Sequence, residues 1–181
     1  MDLFHNLGDE KELMEATFPS YKSLSTSIKD AIKEDRLVAE LSIHSIYLAS
    51  KEYIQETAKV NKTYKTSISC HACETAKEVK ECLDITGYTP IEAFDKCGLF
   101  DNNNVYLAHC VHMSEKEYEI LKSKNVSIVH CPSSNLKLGS GMADISKAIK
   151  MGINVALGTD GCASNNNLDM FEEMHLAALL A

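Results

Sequence analysis

The 181-residue chain has no excess of positive charge. Lys and Arg number 18 against 26 Asp and Glu, a net charge of −8, which argues against a nucleic-acid surface. No apolar run approaches the ~20 residues of a membrane span. Met1-Asp2-Leu3-Phe4 carries neither the basic n-region nor the apolar h-region of an export signal. Linkers, low-complexity tracts and internal repeats are missing as well. The seven cysteines are odd in number, and no second CxxC accompanies Cys70–Cys73. These absences predict a cytoplasmic chain with reduced thiols and with neither a membrane nor a nucleic-acid partner. Cys70 and Cys73, with His71 between them at a strand end, read as packing ahead of redox chemistry.

What is present suits a globular protein: 45% hydrophobic and 24% charged residues, at a length that allows one domain with a sizeable core. Residues 8–34 read as helical, interrupted near Pro19. After them, short runs rich in Val, Ile and Ala alternate with helical patterns. Strands are expected over Leu37–His44, up to His71, over Val105–His109, over Val126–His130 and over Asn154–Asp160. The intervening helices are expected over Lys51–Asn61 with Ser50 as N-cap, Ala76–Ile85, Pro90–Lys96, from a Ser114 capping box to about Lys124, from Asp144 to Met151, and over Leu168–Ala181 with Asn167 as cap. The stretches 132–141 and 161–166 read as loops. Five βα units in succession predict an α/β fold with a parallel sheet covered by helices.

Ionisable residues gather where these strands end. Cys70-His71-Ala72-Cys73-Glu74 places a His and a Glu three apart at a strand-to-helix turn. His109, His130 and Asp160 close three later strands. Gathering at the C-terminal ends of successive strands implies one shared site. His71 and Asp160 are donors suited to Zn²⁺ or Fe²⁺. A metal with an open position makes hydroxide available near neutral pH. Glu74 can then move a proton to a substrate nitrogen, and His109 can hydrogen-bond the attacking water or the developing charge. The plainer readings are that Asp160 is a turn residue and that Glu74 favours a helix N-terminus. Taken alone, His44 and His112 read as satisfied core residues.

At these positions the sequence resembles a known family. His71-Ala72-Cys73-Glu74-Thr75, Ala108-His109-Cys110, Val129-His130-Cys131-Pro132-Ser133-Ser134-Asn135 and Gly158-Thr159-Asp160-Gly161-Cys162-Ala163-Ser164-Asn165-Asn166 look like the amidohydrolase superfamily. They look most like its cytosine/guanine deaminase and chlorohydrolase branch, nearest the 5-methylthioadenosine/S-adenosylhomocysteine deaminases. The resemblance implies a (β/α)8 TIM barrel with one divalent metal, zinc or iron. It implies His71 and Asp160 as metal ligands, Glu74, His109 and Asp160 as catalytic residues, and His44 and Glu74 as substrate contacts. It also implies hydrolytic deamination of a small purine-like molecule such as 5-methylthioadenosine or S-adenosylhomocysteine. The sequence departs from the family in lacking the first-strand His-x-His pair. The expectation is therefore one partial barrel domain over residues 1–181, equivalent to strands four to eight. Its alternatives are an inactive fragment that associates with itself or with a complementary N-terminal half, or a chlorohydrolase or other hydrolase of the superfamily.

Overall fold

A computed structural model describes residues 40–102 and 104–181. The helical pattern expected over 8–34, and the residues expected to begin the first strand, lie outside the described residues. The described strands are β1 (Glu40–Ile43), β2 (Ser67–Ala72), β3 (Val105–His109), β4 (Ser127–His130) and β5 (Val155–Leu157). They form one parallel sheet in the order β1-β2-β3-β4-β5. Each strand neighbours its successor in sequence. A doubly wound sheet would instead reverse direction partway, whereas a (β/α) barrel runs in sequence order.

The connecting helices are α1 (Lys51–Tyr64), α2 (Ala76–Thr86), α3 (Pro90–Lys96), α4 (Glu115–Ser123), α5 (Pro132–Lys137), α6 (Ile145–Lys150), α7 (Cys162–Asn165) and α8 (Met170–Leu180). Local chemistry sets their ends. Ser50 caps α1 by accepting the Tyr53 N–H, and Ser114 and Glu117 form the expected capping box of α4. Gly87, at φ 75°, ends α2 in the left-handed conformation that costs glycine least.

Three expectations are corrected. Residues 132–137 are helical rather than loop, because Pro132 supplies a preset first turn. The polar stretch 161–166 contains the short α7. The last helix is capped by Asp169, whose carboxylate accepts the Phe171 N–H, and not by Asn167.

Period-2 alternation divides the sheet into two faces. Ile43, Ile68, Cys70, Ala72, Val105, Leu107 and Ile128 are buried, in one core with Ile54, Phe94, Leu99 and Leu121. The opposite face is smaller and more polar. Ser42, Ser69, Tyr106 and Ser127 share one register row, and His71, Ala108, Val129 and Ala156 share the next. Glu40 accepts hydrogen bonds from Ser67 and Tyr106 on this face. The apolar drive for folding thus lies on the helix-covered side, where each fully buried large side chain contributes about 1.5–3 kcal/mol. Among the described residues, no helix is long and apolar enough to cross a membrane.

Phe94 is fully buried, edge-on to Phe100 with ring centroids 6.4 Å apart. Phe94→Ala is expected to lower stability by about 3–5 kcal/mol. Ile149→Ala, at a side chain 59% exposed, is expected to change it by no more than about 0.5 kcal/mol. Urea unfolding midpoints of the two variants check both values.

Candidate active site

The site forms at the C-terminal ends of β2, β3 and β5. His71 lies on the open face of β2, and its register partner on β3 is Ala108, not His109. In a regular strand His109 would therefore face the helices. It does not, because its φ is 72°. Rotation about N–Cα carries Cβ across the sheet, and the His109 ring stacks on His71 with centroids 5.3 Å apart and planes 23° apart. Cys73, Cys110 and Asp160 also have positive φ, at 53°, 50° and 60°. Left-handed conformations at non-glycine residues are costly, and they cluster at functional sites.

Hydrogen bonds keep these conformations in place. Ala72 accepts the Cys110 N–H, and Cys73 accepts the N–H groups of Val111 and His112. The buried Glu78 carboxylate takes the backbone N–H of Glu74 at 2.8 Å and of Cys73 at 3.2 Å. Burial pushes the Glu78 carboxyl up, and these N–H groups oppose the shift. Glu74 is thereby presented at the turn: its Oε1 accepts from Ser140 Oγ at 3.2 Å, and its Oε2 lies 3.9 Å from His109 Nε2.

Each imidazole is oriented through Nδ1. The His44 carbonyl, which can only accept, lies 2.6 Å from His71 Nδ1, so that nitrogen carries the proton and Nε2 keeps its lone pair. His109 Nδ1 meets Asn135 Oδ1 at 2.8 Å. The Asp160 carboxylate accepts from Ser134 Oγ at 2.6 Å. Burial alone would raise the Asp160 pKa. Hydrogen bonds from Ser134, the Gly161 N–H and Ser164, with attraction to His109, outweigh it and hold the carboxyl below the usual range.

One donor atom from each of His71, His109 and Asp160 lies within 4.8 Å of the others. Two imidazoles and one carboxylate, each anchored by an outer hydrogen bond, fit a divalent zinc-type ion. The sequence expectation of His71 and Asp160 as ligands thus gains a third donor, His109. His44 stands beside the group, its ring 4.8 Å from that of His71.

Other candidates separate from the site. Among the described residues, His130 is outside the donor group, is 3% exposed, and has no hydrogen-bond partner at Nδ1. His112 Nε2 meets the Ser140 carbonyl at 2.7 Å and clamps the loop. Cys70 and Cys73 are buried free thiols pushed up by burial, which removes the thiolate that redox chemistry needs. Sequence reading passed over Ser134, Asn135 and Glu78. The polar cluster Ser133-Ser134-Asn135 directly after a strand end was the available signal for the first two.

Residues 14–181 match the amidohydrolase family. The chain is 41% identical over 180 residues to a 5'-deoxyadenosine deaminase of Methanococcus maripaludis, covering 99% of this chain and 41% of that protein. It is 43% identical over 171 residues to a 5-methylthioadenosine/S-adenosylhomocysteine deaminase of Acetivibrio thermocellus, covering 88% and 39%. The fold is similar to an adenosine deaminase of Xanthomonas campestris with bound zinc, at TM-score 0.81 and 33% identity, covering 89% of this chain and 37% of that one. It is also similar to a guanine deaminase of C. acetobutylicum with bound guanine, at TM-score 0.71 and 33% identity, covering 74% and 32%. The chain spans about two fifths of the length of the relatives it matches. Its five parallel βα units are a part of a TIM barrel.

Burial holds His130 below the ordinary histidine value of 6.5, with Glu173 opposing the shift. As pH falls from 6.5, the unfolded chain binds a proton that folded His130 resists, so stability falls with pH through that window. His130→Leu is expected to flatten this part of the profile, read from urea midpoints at a series of pH values.

Proposed function

The chain belongs to the amidohydrolase family, and from that premise we propose that it forms the catalytic end of a metal-dependent aminohydrolase. The proposed substrates are purine-like, such as 5-methylthioadenosine, S-adenosylhomocysteine or a related deoxyadenosine. The observation that carries the reading is the convergence of His71, His109 and Asp160 beside Glu74. Residues 1–181 are proposed to make up one partial barrel domain, with His71, Asp160 and His109 as the metal-holding set. Zinc fits this donor set, and iron is the alternative ion.

A divalent metal, when bound, supplies a Lewis acid that makes water nucleophilic at neutral pH. The chain's residues do the rest. Water adds oxygen to the ring carbon that bears the exocyclic amine. Asp160 accepts one water proton and later passes it to the departing nitrogen. Glu74, held on its Oε1 by Ser140, takes the other proton of the water and carries it to the adjacent ring nitrogen. His109, its Nδ1 held by Asn135, would offer its Nε2 lone pair to the same ion as His71 and Asp160. Proton transfer to the departing nitrogen breaks the C–N bond and releases ammonia. His44, at the outer end of the imidazole row, contacts the substrate.

A second reading is supported by β1 and β5, which have no further strand beside them among the described residues, and by Phe171 and Leu179 on α8, which are 81% and 68% exposed. The chain would act by associating with itself or with a complementary N-terminal half. A monomer in sedimentation would count against it.

Ammonia release is to be measured with zinc and with 5-methylthioadenosine, S-adenosylhomocysteine or guanine as substrate. Glu74→Gln is expected to reduce it by about 10²–10⁴-fold. Rates unchanged by both Glu74→Gln and Asp160→Asn would overturn the mechanism.

A further inference from the structure

Asn135 is a 1% exposed amide on α5. It is joined to both partners of Glu74. Its side-chain Oδ1 meets His109 Nδ1 at 2.8 Å. Its backbone carbonyl accepts the Ser140 N–H at 2.9 Å and the Gly141 N–H at 3.4 Å. Ser140 in turn donates to one oxygen of Glu74, and His109 Nε2 faces the other. One residue therefore fixes the ring on one side of Glu74 and the hydroxyl on the other.

We propose that Asn135 is a positioning residue that sets the tautomer of His109. An amide oxygen accepts and cannot donate, so the 2.8 Å contact requires the proton on Nδ1. The lone pair is then left on Nε2, which faces Glu74 and is the nitrogen His109 has free to offer beside His71 and Asp160 once Asn135 holds Nδ1. Glu74 Oε2, at 3.9 Å, is beyond hydrogen-bonding reach of Nε2 and does not compete by drawing a proton there. Turning the amide over would set its NH₂ against Nδ1, move the proton to Nε2, and remove the lone pair from the donor group. The left-handed backbone at His109 brings the ring to the site, and Asn135 decides which nitrogen is bare on arrival.

The inference rests on the proposed metal site only for its second readout. The first is the ¹⁵N–¹H correlation spectrum of the His109 ring in the metal-free full chain. A protonated Nδ1 and a bare Nε2 are expected. Protonation at Nε2, alone or together with Nδ1, would overturn the proposal whether or not the chain binds metal. The second readout is zinc affinity by titration. Asn135→Leu, which removes the acceptor, is expected to mix the tautomers and weaken zinc binding by about 10–100-fold. Asn135→Asp keeps an accepting oxygen and is expected to retain the single tautomer and near wild-type affinity. Asn135→Leu with unchanged tautomer and unchanged zinc affinity would overturn the proposal. If that variant does not fold, the wild-type spectrum decides. If the wild-type chain binds no zinc, the metal reading fails, and the tautomer result still stands on its own.

Discussion

Successive side chains on a strand point to opposite faces, and this constraint governs the whole site. A parallel sheet can offer a common target only those residues that share a face and a register row. His71 and His109 do not, since His71 pairs with Ala108 and His109 with Ala72. The site exists because the strand ends leave the regular geometry at His109 and Asp160, each in the left-handed region. Hydrogen bonds between neighbouring loops offset the conformational cost, with the carbonyls of Ala72 and Cys73 tying the end of β2 to the chain that follows β3.

Three buried glutamates repeat one solution to the problem of holding these loops. Glu78 binds the N–H groups of Cys73 and Glu74, Glu117 binds that of Ser114, and Glu173 binds that of Ser133. Glu78 and Glu117 each reach back from a helix to the turn that precedes it, whereas Glu173 reaches from α8 to the first turn of α5. A buried carboxylate is costly by itself, and backbone N–H groups are the partners that make it tolerable. Glu173 also accepts from Asn165, whose amide donates to the Thr159 carbonyl next to Asp160. The short helices after β4 and β5 are thus joined through one side chain of α8.

Much of this was legible in the residues. β-branched runs bounded by turn residues marked the strands, the Ser114–Glu117 spacing marked a helix start, and the recurrence of His71, His109 and Asp160 at strand ends marked a shared site. His130 belonged to the same pattern and yet lies outside the donor group, because it keeps the regular alternation that His109 abandons. Backbone sign at a single residue carries no clear mark in a histidine codon position. The helical turn after Pro132 was hidden by Ser and Asn, which suit loops and short helices alike. Asn135 and Glu78 escaped notice for a related reason: their roles depend on contacts with His109 and with the turn at Glu74, and only the folded chain defines these.

The order of strands in the sheet bears on how the chain comes to be folded. Each strand pairs with its immediate successor, so each pairing closes a connection of one or two α-helices. Closure between neighbours in sequence lets units add in the order of synthesis. The face carrying Ser42, Ser69 and Ala108 has little apolar surface to protect meanwhile. Growth from β1 towards β5 can therefore proceed with that face wet: the row of His44, His71 and His109 comes together first, and Asp160 joins it last, behind β5.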